Sequence, residues 1–181
     1  KWFFDIPLVN HNHWAQAISI TSKISLDSEI LKKAINAVQN RYPAFSWRWV
    51  SKNDQIKLKP SPNRDCHFII DRSNEPLEKL ISVACNALNI ETGPTSVVVV
   101  KEENPSEFLY LIHHLCVDTV SWHILILEIQ NFLLNPQIQE QKSDRRQILL
   151  NYADELKTQQ NIEYWNQKVT QLQNCQRLPG S

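Results

Sequence analysis

The chain has 181 residues, of which 42% are hydrophobic, with 19 basic and 19 acidic side chains; that is enough for a substantial core, in one large domain or two small ones, with no net field to draw nucleic acid or an anionic membrane. Two glycines in the whole chain exclude P-loop and dinucleotide phosphate cradles, and no apolar run approaches the roughly 20 residues of a membrane helix. Cys66, Cys85, Cys116 and Cys175 lie far apart with no CxxC pair, so they read as reduced thiols of a cytoplasmic protein, not as a zinc site or disulfide framework. Lys1 in place of methionine leads us to expect a segment of a longer polypeptide or a processed product, and Trp2-Phe3-Phe4 running at once into Asp5 and Pro7 lacks the pattern of a signal peptide.

In chain order, Ile18 and Ile20 alternate with Ser19 and Thr21 as in a half-buried strand. Ser25 or Asp27 then caps a helix carrying Ile30, Leu31, Ala34, Ile35 and Val38, which stops before Pro43. Phe45, Trp47 and Trp49 alternate with Ser46, Arg48 and Val50 as a strand, and the polar turn Lys52-Asn53-Asp54 leads to a partner with Ile56 and Leu58, giving a hairpin. A loop over residues 60–65 and a short strand over 66–70 follow, then a second helix with Pro76 near its start and Leu77, Leu80, Ile81, Ala84 and Leu88 on one face. Gly93-Pro94 turns into four consecutive valines at 97–100, fit for a fully buried strand, and Asn104-Pro105 turns into another over residues 108–112. A helix to about Leu134, a break at Pro136, a polar connection through Arg145-Arg146 and further helices including residues 162–172 complete the chain. The order predicts an α/β fold, an α+β sandwich with helices packed on a mixed or largely antiparallel sheet.

The most informative stretch is His113-His114-Leu115-Cys116-Val117-Asp118, followed by Ser121-Trp122, where the last predicted strand gives way to a helix. Such a junction can present a side chain to a substrate, and imidazole suits proton transfer near neutral pH. Asp118 can orient a ring, form a buried ion pair, or cap the following helix. The plain alternative is a core histidine beside a surface one. His11 and His13 would make a zinc site if they converged on His113 and His114, although a carboxylate would also be expected. Cys116 beside His114 would suit a thiol hydrolase, but it lies in an apolar run, where cysteine behaves as a small hydrophobe. The tryptophans are spread singly and read as core or interface residues.

The pattern HHxxxD at His113, His114 and Asp118 resembles the signature of condensation-type domains of nonribosomal peptide synthetases. The continuation Val120-Ser121-Trp122-His123-Ile124-Leu125 resembles the epimerization branch of that family, as do Trp2-Phe3-Phe4 and Asn10-His11-Asn12-His13-Trp14-Ala15-Gln16 at the start. Arg41-Tyr42-Pro43-Ala44-Phe45-Ser46-Trp47-Arg48-Trp49 and Asn89-Ile90-Glu91-Thr92-Gly93-Pro94 are similar to further family segments. The resemblance spans nearly the whole chain but only the first half of the family's two-lobed, chloramphenicol-acetyltransferase-like domain. It implies that residues 1–181 are the amino-terminal lobe of an epimerization domain, which inverts the α-carbon of an aminoacyl or peptidyl thioester. It implies further that no cofactor is bound directly and that the substrate arrives on the 4'-phosphopantetheine arm of a peptidyl carrier protein. The second lobe of the same domain and neighbouring synthetase modules are the other implied partners.

The resemblance makes His114 the acid/base residue. It makes His113 structural, Asp118 the partner of a buried arginine (Arg41 or Arg48), and Ser121 and Trp122 supports of the motif. The opposite-face proton carrier in the family is a glutamate of the second lobe, so the 181 residues alone are expected to be inactive. Peptide-bond formation by a condensation domain is the nearest rival. A degenerate lobe that only binds a carrier protein is the other, favoured by Thr119 where the family has glycine and by Ser46 where it has arginine.

Overall fold

The computed structural model describes residues 2–52, 55–73, 75–135, 163, 164 and 166–170. Its elements are α1 (Trp2–Asp5), β1 (Ala15–Thr21), α2 (Ser28–Gln39), β2 (Trp47–Lys52), β3 (Gln55–Pro60), β4 (His67–Asp71), α3 (Ile81–Ala87), β5 (Ser96–Lys101), β6 (Glu107–His113) and α4 (Thr119–Leu134), with 3-10 turns at His11–His13, Pro43–Ser46 and Leu77–Leu80. The chain divides into two compact units, Lys1–Gln141 and Lys142–Ser181. All the strands and helices named above belong to the first. In the second, residues 163, 164 and 166–170 are helical, Thr170 Oγ1 donates to the Asn166 carbonyl at 2.9 Å, and Lys168 lies 5.6 Å from the centre of the Tyr164 ring. The predicted break at Pro136, the Arg145-Arg146 connection and the rest of the predicted helix over 162–172 lie outside the described residues.

Four strands form a mixed sheet in the order β1-β6-β5-β4. β6 is antiparallel to both β1 and β5, and β4 runs parallel to β5. The valine run is continuous because both faces of β5 are covered. Val97 opposite Leu111 and Val99 opposite Leu109 join Leu80, Ala84 and Leu88 of the α3 layer. Val98 opposite Tyr110 and Val100 opposite Phe108 join Leu31, Ala34, Ile35 and Val38 of α2 with Trp122, Leu125, Ile129 and Phe132 of α4. The result is three layers, and each fully buried aliphatic side chain such as Leu31 contributes roughly 1.5–3 kcal/mol. Gln39 is buried in the same layer and donates to Ser96 Oγ at 2.7 Å and Tyr110 Oη at 2.6 Å, which fixes where α2 sits on the sheet. Among the described residues no helix is long and apolar enough to cross a membrane.

Three local expectations are refined. Asp27, not Ser25, caps α2, accepting from the Glu29 and Ile30 amides at 2.9 Å. Phe45 and Ser46 belong to a 3-10 turn opened by Pro43, whose fixed φ favours a turn over a strand. The strand therefore starts at Trp47, and its hairpin with β3 is a separate two-stranded sheet. The second predicted helix is split into the Leu77–Leu80 turn and a short α3.

Gly93 has φ +84°, and a Cβ built there would lie 2.7 Å from Arg48 Nη2. Arg48 cannot yield easily: it donates to the carbonyls of Phe45 (2.9 Å), Trp47 (3.0 Å) and Asn63 (2.7 Å). Gly93→Ala thus combines a left-handed backbone, worth about 1–2 kcal/mol, with a clash. A lower urea midpoint at unchanged m-value is the expected outcome; an unchanged midpoint would show that the loop relaxes freely.

Candidate functional site around the paired histidines

β6 ends at His113, paired with Ala15 of β1. Successive side chains of a strand point to opposite faces, so the two imidazoles part company at this point. The His113 side chain turns inward and is fully buried, while His114 is exposed. The turn is held by backbone bonds: His113 N–H donates to the Thr95 carbonyl at 2.9 Å, His114 N–H to Trp14 at 2.8 Å, and Cys116 N–H to His113 at 2.8 Å.

His113 is saturated. Its Nε2 donates to the His11 carbonyl at 2.8 Å and its Nδ1 accepts from the Leu115 amide at 3.2 Å, with the Phe3 ring edge-on at 5.8 Å. These partners require the neutral Nε2–H tautomer. Burial, above all, holds its pKa below the ordinary imidazole value; the bond to His11 offsets part of that, and the charges of His114 and His11 add to the lowering.

His114 presents the reverse arrangement. Its Nδ1 lies 2.9 Å from the Val117 carbonyl, an acceptor only, so Nδ1 carries the proton. Trp14 stacks on the ring at 6.1 Å and 18°. Nε2 faces the side-chain nitrogen of Gln16 at 3.3 Å, and Gln16 Oε1 accepts from Trp122 Nε1 at 2.9 Å. Trp122 is buried, edge-on to Tyr110 at 5.3 Å. Gln16 is the site residue that sequence reasoning passed over. Its sequence signal is its place at the end of the family-like segment Asn10 to Gln16, ahead of the strand predicted from Ile18, and only the pairing of Gln16 with Ile112 brings it to the motif.

The expected buried ion pair of Asp118 does not form. Asp118 is exposed and caps α4, accepting from Ser121 N at 2.7 Å and Ser121 Oγ at 2.6 Å. Hydrogen bonds from the Ser121 hydroxyl and then the Ser121 amide hold its carboxyl below the ordinary range. Both arginines are engaged elsewhere: Arg41 lies 3.4 Å from Glu128 of α4, a carboxylate that also accepts from Tyr42 Oη at 2.7 Å, and Arg48 serves the three carbonyls named above. The physical reason is proximity, since the unpaired amides at the start of α4 are the nearest donors and a helix N-terminus favours a carboxylate. Thr119 is the first residue of α4, so its backbone is helical and needs no positive φ. Ser46 is buried and donates to the Pro43 carbonyl at 2.6 Å.

The rival chemistries find no geometry. Cys116 is buried, donates to the Ala44 carbonyl at 3.5 Å, and its thiol is pushed up to about 12 by burial, so it is protonated and unreactive. His113 reaches the backbone of His11, not its ring, and among the described residues no three His, Cys, Asp or Glu side chains gather as metal ligands.

A family model described as Condensation domain matches residues 1–181. Surfactin synthase subunit 2 of Bacillus subtilis is 27% identical over 187 residues, 92% of this chain and 5% of that protein. Gramicidin S synthase 1 of Brevibacillus brevis is 25% identical over 186 residues, 91% of this chain and 17% of that protein. The fold is shared with the epimerization domain from the third module of tyrocidine synthetase B, at TM-score 0.66 and 20% identity over 77% of this chain and 33% of that one. It is shared also with VibH, a condensation enzyme, at TM-score 0.62 and 16% identity over 91% and 40%. The chain therefore spans 5% and 17% of these two synthetases and 33% of the tyrocidine synthetase domain.

The burial of His113 ties stability to pH. An unfolded imidazole binds a proton near pH 6.5, which folded His113 resists, so the unfolded state gains protons first. Stability is full above about pH 6.5 and falls with pH until folded His113 itself titrates. Urea midpoints between about pH 7.5 and about pH 5 should decline in the wild type and decline less in His113→Gln; equal slopes would assign the effect elsewhere. Asp118→Asn, which can still cap, should keep the melting temperature within a degree or so, while Asp118→Ala lowers it modestly. A collapse of both variants would restore the buried ion pair.

Proposed function

The chain belongs to the Condensation domain family, and from that premise we propose that it is the amino-terminal lobe of an epimerization domain acting on an aminoacyl or peptidyl thioester, with His114 as its acid/base residue. The observation that carries this reading is the split of the histidine pair. One ring is buried and locked as a neutral structural group; the other is exposed, with its proton held on Nδ1 by Val117 and its Nε2 turned away from the backbone. Inverting an α-carbon requires a base for a weakly acidic C–H, a donor for the developing enolate, and a proton returned from the opposite face. In this reading His114 Nε2 exchanges the proton on one face. As the ring becomes imidazolium, its Nδ1–H bond to the Val117 carbonyl strengthens, which stabilises the charge it has just acquired.

The second face is assigned to the other lobe of the domain, which the reading sets against the outer side of α4. That side is apolar at helical spacing, with Val120, Ile124 and Leu127 exposed, whereas its inner side is already filled. The thioester comes on the phosphopantetheine arm of a peptidyl carrier protein, with neighbouring synthetase modules as further partners. The unpaired thiols of Cys66, Cys85 and Cys116 fit a cytoplasmic setting. Epimerization is preferred to condensation on the run Val120-Ser121-Trp122-His123-Ile124-Leu125 and on the opening Trp2-Phe3-Phe4, both similar to the epimerization branch.

The test is α-deuterium incorporation and chiral analysis of a carrier-bound aminoacyl thioester in D2O, run with the complete protein. Inversion is expected, and His114→Ala should slow it by about 10²–10⁴-fold while leaving carrier affinity unchanged. A full rate in His114→Ala would overturn the role of His114. A new peptide bond in place of inversion would make this a condensation domain, and carrier binding with neither product would leave a binding platform.

A further inference from the structure

We propose that Gln16 is a positioning residue for His114: anchored by Trp122, its side-chain amide acts with the Val117 carbonyl to set which ring nitrogen carries the proton. Hydrogen-bond polarity leaves one consistent arrangement. The indole N–H of Trp122 can only donate, and it lies 2.9 Å from Gln16 Oε1, so that arm of the amide is the carbonyl. The other arm is therefore the NH₂ group, which also only donates, and it faces His114 Nε2 at 3.3 Å. Nε2 must be the bare, accepting nitrogen. The ring proton is left to Nδ1, which lies 2.9 Å from the Val117 carbonyl, a group that only accepts.

The chain Trp122 to Gln16 to His114 to Val117 thus runs in one direction, from an obligate donor to an obligate acceptor, and reversing any member leaves two donors or two acceptors face to face. Two ends that are independent in sequence demand the same tautomer. It is opposite to that of the neighbouring His113, whose Nε2 donates to His11 and whose Nδ1 accepts from Leu115. The Gln16 contact is also at the long, weak end of hydrogen-bond geometry. A substrate hydrogen can take its place at Nε2 while Trp122 keeps the amide at hand. Packing alone would place a ring there; the amide additionally chooses its basic nitrogen. The functional weight of this rests on the reading of His114 as the acid/base residue, but its test does not require turnover.

The intact protein is labelled with ¹⁵N-histidine, and long-range ¹⁵N–¹H correlation distinguishes protonated from bare ring nitrogens; His114→Gln identifies the His114 signals by their loss. Wild type should show His114 protonated on Nδ1 and His113 on Nε2. Gln16→Leu removes the donor, and the minor Nε2–H form of His114 should rise several-fold. Gln16→Glu can still accept from Trp122 but sets an acceptor opposite Nε2, so the Nε2 signal should move to the protonated position. Unchanged His113 signals report that the fold is intact. If Gln16→Leu disturbs them, the isosteric Gln16→Glu decides. His114 ring signals identical to wild type in Gln16→Glu, or a wild-type ring protonated on Nε2, would overturn the proposal. A normal tautomer response in a protein that inverts no substrate would leave this inference standing and remove only the functional reading.

Discussion

The antiparallel pairing of β1 with β6 governs the whole site. A strand sends neighbouring side chains to opposite faces, and β6 keeps that rule up to its final residue because β1 and β5 bond it on both edges. Where the ladder stops, His113 is still inside and His114 is the first residue free to leave. The same pairing sets Gln16 opposite Ile112, one residue short of the turn, on the side where α4 packs. A slip of one residue would exchange the two imidazoles and carry Gln16 to the wrong face.

Such precision needs a rigid support, and the two hydrophobic clusters provide it. β5 and β6 are apolar on both faces because helices lie on both. A strand buried on two sides cannot shift without exposing valines or leucines somewhere. The motif aspartate belongs to this scaffold too. As the cap of α4 it fixes where that helix starts, and hence where Trp122 sits four residues later, at the head of the hydrogen-bonded chain that runs through His114. The contribution of Asp118 to the site is therefore indirect, through the helix it starts.

The two histidines show how environment divides labour between identical side chains. His113 spends both ring nitrogens on backbone groups and is kept neutral by burial, which suits a structural post. His114 spends one nitrogen on the backbone and faces the Gln16 amide with the other. In the role proposed for His114, a bare ring nitrogen at a defined position is what proton abstraction needs. The neighbouring Cys116 illustrates the converse, a potential nucleophile silenced by desolvation in the core.

Periodicity and turn chemistry made most of the scaffold legible: the valine strand, the helix ending before Pro43, and the strand-to-helix junction carrying the histidines all follow from local pattern. The split of the second helix and the turn at Phe45 and Ser46 escaped, because apolar spacing does not separate one turn of 3-10 helix from the start of an α-helix or strand. The partner of Asp118 was misjudged because charge type suggested an arginine, while the winning donors were the hydroxyl and amide of Ser121, brought into place only when α4 forms. Gln16 was invisible as a site residue because 98 residues separate it from His114, and no local pattern encodes a contact across that distance. Local apolar pattern, alternating or continuous in the strands and recurring at helical spacing in the helices, is enough to mark out the main elements and the junction that carries the histidines, because such patterns depend only on near neighbours. Which nitrogen of His114 is bare, and what holds it so, emerges only on packing, because hydrogen-bond polarity is set by the donors and acceptors that the assembled sheet brings within reach.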